Sequence, residues 1–118
     1  MRPCEVANCK LPGQKHHIVF RSQGGLDIPM NFKYLCPEHH TGKESPHGSR
    51  EIDLEYKKEE QDELFKLFTE ETYTIKQIAE LIGYDKNRLE KRFRKLPSRA
   101  GIFEREDIIR ALMGGRLY

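Results

Sequence analysis

The stretch HHIVFRSQGGLDIPMNFKYLCPEHH, residues 16–40, decides how this chain folds. It opens on a histidine pair, and it closes on Cys36, two spacer residues and a second histidine pair. Residues 1–50 are rich in Gly, Pro, Cys and His and poor in helical periodicity. That composition predicts loops and a short hairpin organised around metal ions rather than around a large apolar core.

Within this segment the chemistry of the residues predicts three pieces of local structure. Ile18, Val19 and Phe20 form the best strand candidate, because β-branched and aromatic residues favour strands. Gly24-Gly25 marks a reversal of the chain, since glycine tolerates positive φ. Residues 31–40 then lead into a short helix.

Two short-range ligand pairs flank this segment. Cys4 and Cys9 form the first pair, and Cys36 and His39 form the second. Zinc favours four tetrahedral thiolate or imidazole ligands drawn from two such pairs. An odd number of cysteines also argues against a closed disulfide framework. The pattern therefore predicts a structural zinc site, and the alternative is three unrelated, small buried thiols.

Neighbouring histidines in this segment are expected to do different work. Residues one apart on a helix point about 100° away from each other, so His39 and His40 are poorly placed to bind one ion. The natural division assigns His39 to the structural zinc and His40 to a second metal ion. Neighbours on a strand face opposite ways, so His16 and His17 should also have separate functions.

Read as one string, the histidine pair, Asn31 and the closing histidine resemble the HNH nuclease family, also called the ββα-metal or His-Me finger nucleases. The resemblance implies that His16 and His40 bind a catalytic divalent ion and that His17 is the general base activating water. It makes Asn31 the structural asparagine that holds the His17 loop. Imidazole suits the base because it titrates near neutral pH.

The resemblance also implies two kinds of metal. One is the structural Zn²⁺, and the other is a catalytic ion, which could be Mg²⁺, Mn²⁺, Ni²⁺ or Zn²⁺. Many members of the family carry Asp where this chain has His16, and histidine favours the softer ions of that set. His47 is left open as an additional ligand or a supporting group.

Charge divides the chain into three blocks. Residues 1–50 carry 7 Lys/Arg and 4 Asp/Glu, residues 51–72 carry 3 and 9, and residues 73–118 carry 11 and 6. Two basic blocks on either side of an acidic one are compatible with two nucleic-acid contacts joined by a solvated spacer. Residues 51–72 are predicted to form a charged helix that ends in an apolar cluster, residues 64–68.

Residues 75–94, IKQIAELIGYDKNRLEKRFR, resemble a helix-turn-helix. Thr74 and Gln77 form a capping box that begins the first helix, and Gly83 ends it. A second, basic helix is predicted over residues 85–95 and is stopped by Pro97, and a third over residues 104–113 ends at a glycine pair. The alternative is a plain three-helix structural cap.

In a helix-turn-helix the second helix enters the major groove of double-stranded DNA. The resemblance therefore assigns base or phosphate contacts to the exposed polar residues of this helix and to two arginines in or near a wing. These residues are Lys86, Asn87, Arg88, Lys91, Arg94, Arg99 and Arg105.

Together these features predict an α+β chain with an HNH module in residues 1–50, an acidic helical spacer in 51–72 and a DNA-binding module in 73–118. The combination looks like small phage-type or mobile-element HNH endonucleases.

The expected activity is metal-dependent hydrolysis of DNA phosphodiester bonds. The alternative function is a non-catalytic zinc and helix-turn-helix DNA-binding regulator. An RNA-directed nuclease is disfavoured by the lack of basic-aromatic stacking motifs. With no leader and no apolar span, a cytoplasmic protein without membrane contact is expected, and a homodimer is left open.

Overall fold

The computed structural model of the chain describes residues 2–118 and has the predicted α+β class. Two small antiparallel sheets pair β1 with β2 and β3 with β4. Single 3₁₀ turns at Arg21–Gln23 and Pro29–Asn31 interrupt the connection between β1 and β2. The elements in order are β1 (Gln14–His17), β2 (Phe32–Leu35), α1 (Pro37–Thr41), α2 (Arg50–Leu67), β3 (Thr72–Thr74), α3 (Ile75–Ile82), α4 (Lys86–Arg92), β4 (Ile102–Glu104) and α5 (Arg105–Leu112).

The first strand contains the histidine pair itself, so the prediction of a strand at residues 18–20 was wrong. β1 pairs with β2 such that His17 faces Phe32 across the ladder. The Ile18 N–H still donates to the backbone C=O of Asn31 at 2.8 Å, and beyond it the Asn31 side chain takes the place of the partner strand. The Asn31 side chain accepts a hydrogen bond from the Val19 N–H at 2.7 Å and donates one to its C=O at 3.0 Å.

The predicted charged helix is α2, which Ser49 begins by accepting a hydrogen bond from the backbone N–H of Ile52. The prediction that this helix is a solvated spacer is wrong for one of its faces. Lys57, Glu60 and Gln61 are buried along with Leu64. This helix therefore packs against the rest of the protein along much of its length, although its composition is that of an exposed helix.

The C-terminal third has the predicted helix boundaries with two differences. The Thr74 capping box is present, and Gly83 ends α3 with φ 70°. The basic helix α4 is shorter than predicted, because it begins after the cap Asp85 and ends at Arg92 rather than near residue 95. The pairing of β3 with β4, which places Tyr73 opposite Phe103, was not predicted. Strands of three residues are too short to show an alternating pattern.

One apolar core joins all three predicted segments of the chain. It contains Val19, Leu26 and Ile28 from the β1–β2 connection, Leu64 and Phe68 from the end of α2, and residues of α3, α4 and α5. A smaller buried cluster contains Cys4, Leu35 and Cys36. Because the large core is shared, removal of the C-terminal third would expose apolar residues of the N-terminal part. No helix among residues 2–118 is long and apolar enough to cross a membrane.

Candidate functional site

The four residues expected to bind structural zinc come together at one place, although they lie at opposite ends of the first forty residues. Cys4, Cys9, Cys36 and His39 each offer a ligand atom, and these atoms all lie within 4.8 Å of one another. The Nδ1 atom of His39 is 3.4 Å from the Cys4 sulfur and 3.2 Å from the Cys36 sulfur. The Cys9 and Cys36 sulfurs are 3.8 Å apart.

These separations lie within about 0.4 Å of the edges of a zinc tetrahedron. With Zn–S bonds of about 2.3 Å, two sulfurs at the corners of a tetrahedron are about 3.8 Å apart, and a sulfur and a nitrogen are about 3.6 Å apart. Cys4 and Cys36 are buried, and no disulfide joins any of the three cysteines. The cluster could therefore hold a metal ion, and its ligand set is consistent with structural zinc.

The Cys4 thiol is prepared to act as a thiolate. Burial would raise its pKa, but hydrogen bonds from the backbone of Cys36 and Val6 and from the side chains of His39 and Cys9 outweigh burial and lower the pKa to about 6. Zinc binds the thiolate rather than the thiol. A large part of this ligand is therefore ionised at neutral pH before any metal arrives.

A second cluster contains His16, His40 and His47. One ring nitrogen from each of these residues lies within 4.8 Å of the others. His16 comes from β1 and His40 from α1, while His47 lies in the loop that precedes α2. The adjacent residues His39 and His40 thus divide as expected, one to each cluster. The structure also places His47, which the sequence left open, beside the two predicted ligands.

The His16 ring supplies an observation that fits a metal ion. This side chain is only 2% exposed, yet its Nε2 atom has no hydrogen-bond partner. Burial and repulsion from His40, His47, His17 and Lys57 lower its pKa to about 4, so the ring is neutral near pH 7. A buried polar atom normally has a partner, and a neutral imidazole nitrogen is the form that binds a metal ion.

His40 is oriented by a neighbour in the same way as many metal-binding histidines. Its Nδ1 atom lies 3.0 Å from the side-chain oxygen of Gln14, on the first residue of β1. An amide oxygen can only accept, so Nδ1 carries the proton and Nε2 keeps its lone pair. Such an outer hydrogen bond fixes the tautomer and the ring orientation of a ligand.

The His17 side chain is not part of the three-histidine cluster. A hydrogen bond and ring packing hold it in place instead. Its Nε2 atom lies 2.6 Å from Oδ1 of Asp27, and its ring packs edge-on against Phe32 with centroids 5.1 Å apart. His17 nevertheless lines the same shallow cleft as His16, His40 and His47. The cleft therefore brings together three candidate ligands and one histidine whose ring is held by a carboxylate.

Asn31 organises the connection between the two strands. It is 1% exposed, and besides its two hydrogen bonds to Val19 its amide donates to the C=O of Leu26 at 3.0 Å. Gly25 lies directly against these hydrogen-bonded groups. A Cβ atom at that position would come 1.8 Å from the Val19 carbonyl oxygen, so only glycine fits. Gly25 is thus required by the close approach of two backbones, whereas Gly24 has φ 93°, in the left-handed region that favours glycine.

An aromatic and a cationic side chain pack next to the histidines of the cleft. The Phe20 ring stacks on His47 with centroids 5.2 Å apart and an interplanar angle of 18°. On α2, the Lys57 ammonium lies 4.5 Å from the centre of the Phe20 ring and 2.7 Å from an Asp53 oxygen. Lys57 is 2% exposed, so α2 places a buried positive charge near the histidines.

Most of the residues expected to contact DNA are on the surface. Lys86, Asn87, Arg88 and Lys91 are exposed on α4, and Arg94 is exposed just beyond its end. Arg99 is also exposed and lies at a tight hairpin turn in which Ala100 and Gly101 both have positive φ. This turn connects the end of the basic segment to β4, where a wing was expected.

Arg105 differs from these residues because its guanidinium is engaged inside the protein. It donates hydrogen bonds to the backbone C=O groups of Phe68 and Phe65, and it lies 4.8 Å from the centre of the Phe65 ring. These carbonyls belong to the C-terminal end of α2, whose last C=O groups lack helical partners. The side chain thus caps α2, and a DNA contact is no longer proposed for it.

The polar side chains that surround the histidines could not be predicted from the sequence. Gln14, Arg21, Asp27 and Lys57 carry no motif of their own, and each reaches its partner only through the folded backbone. Asp27 gave one signal in the sequence, as the acidic residue between the glycine pair and Asn31.

No protein-family model, curated protein or solved structure matches this chain.

Proposed function

We propose that this protein is a metal-dependent DNA endonuclease that hydrolyses phosphodiester bonds with one divalent ion and a histidine base. The single observation that supports this proposal most is that four histidines line one cleft. Three histidines offer nitrogens within 4.8 Å of one another, and a fourth, His17, shares the cleft while hydrogen-bonded to a carboxylate instead. A purely structural metal site has no need of this additional imidazole.

In this proposal His16, His40 and His47 hold the catalytic ion, and the four-residue Cys/His cluster holds structural zinc. The catalytic ion, when bound, neutralises charge on the phosphate and on the leaving oxygen. Three neutral imidazoles suit Zn²⁺, Ni²⁺ or Mn²⁺ better than Mg²⁺. Asn31 keeps the connection after β1 in the shape that presents His17 to the cleft.

His17 acts on the attacking water. It accepts a proton from that water as the water oxygen forms a new bond to phosphorus, while the bond from phosphorus to the leaving sugar oxygen breaks. Proton transfer to a positioned side chain typically contributes about 10²–10⁴-fold to a rate. The proton held by His17 is then available to solvent, because the side chain is 21% exposed.

The exposed basic residues of α4 supply affinity for double-stranded DNA. Lys86, Arg88 and Lys91 lie on this helix, and the buried Leu89 anchors it to the core. In a helix-turn-helix the N-terminal residues of such a helix contact base edges, so Asn87 and Arg88 are the proposed readers. Arg94 and Arg99 would add phosphate contacts.

Plasmid cleavage by the full chain tests this function. Zinc-loaded protein is mixed with supercoiled plasmid in Mg²⁺, Mn²⁺, Ni²⁺ or Zn²⁺, with and without chelator, and nicked and linear products are measured. We expect cleavage that needs a divalent ion and that falls by about 10²–10⁴-fold in His17→Ala, the range typical of a lost general base.

The His17→Ala protein, purified in the same way, also controls for contaminating nucleases. Its affinity for DNA should equal that of the unmodified chain, because His17 is remote from the proposed reading helix in sequence and its side chain is held by Asp27 and Phe32 instead. Equal cleavage rates for the two proteins would contradict the assignment of the base. Tight DNA binding with no cleavage in any of the four metals would instead favour the non-catalytic regulator.

A further inference from the structure

A chain of three side chains connects the cleft to the loop that follows β1. The Nε2 atom of His17 lies 2.6 Å from Oδ1 of Asp27. The other carboxylate oxygen of Asp27 accepts a hydrogen bond at 2.9 Å from the guanidinium of Arg21. Arg21 and His17 both line the cleft that also contains the three-histidine cluster.

The chemistry of Asp27 determines which nitrogen of His17 carries a proton. Hydrogen bonds from Arg21 and His17 lower the pKa of Asp27 to about 2, so this side chain is a carboxylate at neutral pH. A carboxylate can only accept hydrogen bonds. The Nε2 atom of His17 must therefore carry a proton, and in the neutral ring Nδ1 is the nitrogen with a free lone pair.

The position of the ring is restricted from two sides. Phe32, the β2 partner of His17, packs against the ring at an interplanar angle of 89°, and Asp27 holds the Nε2 end. The loop that carries Asp27 is itself held by the hydrogen bond from Asn31 to the C=O of Leu26. The orientation of His17 thus depends on the Asn31 hydrogen bonds that hold the β1–β2 connection.

We propose that Asp27 is a positioning residue that holds His17 as the Nε2–H tautomer, leaving Nδ1 to accept the proton of the attacking water, and that Arg21 holds Asp27 in place. This inference rests on the proposed nuclease function. It assigns to Asp27 and Arg21 a role that acts through His17, since neither residue takes part in the proton transfer itself.

The ion pair between Asp27 and Arg21 contributes little to folding, so changes at Asp27 should report on function rather than on stability. The side chains of Asp27 and Arg21 are 52% and 72% exposed, and exposed ion pairs have small effects on stability. Asp27→Asn should therefore fold normally. Its amide can donate to Nε2 of His17, which favours the tautomer with the proton on Nδ1 and removes the lone pair needed for catalysis.

The experiment combines kinetics with nitrogen NMR of the His17 ring. We expect Asp27→Asn to lower kcat for plasmid cleavage by about 10–100-fold, less than the loss of the base itself, with KM for DNA unchanged. In zinc-loaded protein, spectra of the neutral ring should show the Nε2–H tautomer in the unmodified chain and the Nδ1–H tautomer in Asp27→Asn. Asp27→Glu, which keeps the carboxylate, should retain the original tautomer and recover part of kcat.

Asp62→Asn is the matched control, because Asp62 is an exposed carboxylate on α2 with no contact to the cleft. It should change neither kcat nor the His17 spectrum. An unchanged kcat in Asp27→Asn would overturn the proposal, and so would a loss of kcat without any change of tautomer. If the unmodified chain fails to cleave DNA, the proposed function fails, and the spectra alone still decide whether Asp27 sets the tautomer of His17.

Discussion

Replacing Glu60 by glutamine should stabilise this protein increasingly as the pH rises. Glu60 lies on α2, is only 3% exposed, and neither of its side-chain oxygens has a hydrogen-bond partner. Apolar residues of the facing elements, Ile18, Met30 and Phe32, line the same cavity. Burial without a partner penalises the charged form and raises the pKa of Glu60 to about 8.

The charged groups around Glu60 do not relieve this penalty. Glu5 from the N-terminal loop, Lys33 from β2, and Glu59 and Glu63 from α2 itself line the cavity. The ammonium of Lys33 lies 3.5 Å from Glu59, and that of the nearby Lys57 is bound by Asp53. The three other carboxylates would only raise the pKa of Glu60 further, so desolvation decides its protonation.

The sign and size of the effect follow from proton linkage. Between pH 4.5, the ordinary value for Glu, and about 8, the folded state holds a proton that the unfolded state has lost, so stability falls as the pH rises. Each pH unit costs about 1.4 kcal/mol, which amounts to about 3 kcal/mol at pH 7 and about 5 kcal/mol above pH 8. These losses are a large fraction of the roughly 5–15 kcal/mol that stabilises a typical domain.

Urea unfolding of zinc-loaded protein at pH values from 4 to 9 measures this. The quantity to compare is the free energy of unfolding of Glu60→Gln minus that of the unmodified chain, because subtraction removes the contributions of the histidines. We expect this difference to rise by about 3 kcal/mol between pH 4.5 and 7. Glu63→Gln, an exposed residue lining the same cavity, is the matched control and should give a flat difference. A flat difference for Glu60→Gln as well would refute the reasoning.

Two further outcomes test the proposed zinc site and the proposed DNA-reading helix. If the Cys/His cluster holds structural zinc, Cys36→Ser should lose that zinc and lower the free energy of unfolding by about 3 kcal/mol or more, because a structural zinc contributes roughly 10–16 kcal/mol. Elemental analysis and urea unfolding check both, and a zinc-free chain with full stability would contradict the assignment. Replacing Lys91 and Arg94 together by alanine in the full chain should weaken DNA binding and reduce the slope of log affinity against log salt by about 2, since each phosphate contact contributes about 0.9. Lys58→Ala, a change at an exposed lysine on α2, should leave the slope unaltered, and equal slopes for all three proteins would mean that α4 does not contact DNA.

The local structure of the C-terminal third was largely predictable from short-range chemistry. Thr74 and Gln77 form their capping box, and Gly83 ends α3, because caps depend on residues within one turn of each other. The two short strands β3 and β4 were missed because they are defined by each other. Their partners lie about 30 residues apart, and neither segment is long enough to show a period.

The two clusters of possible metal ligands show the same division. Spacing within each ligand pair, together with the opposite directions of neighbouring side chains, was sufficient to separate His39 from His40 and to group Cys4, Cys9, Cys36 and His39. Local chemistry restricts which ligand types can share an ion, and this information is carried by the sequence. The place of His47 in the second cluster depended on how the loop before α2 returns to β1.

Helix caps, chain turns and the grouping of the Cys/His residues could be predicted from the sequence, because they depend mainly on residues close to one another along the chain. Tertiary structure alone decided that Asp27 holds His17, that Arg105 caps α2 instead of facing DNA, and that Glu60 is buried. Each of these depends on contact between separate segments, and a charged residue looks the same in sequence whether it meets water, a carbonyl or an apolar wall. Burial is a property of the packed molecule, and it changes both the protonation and the partners of a side chain.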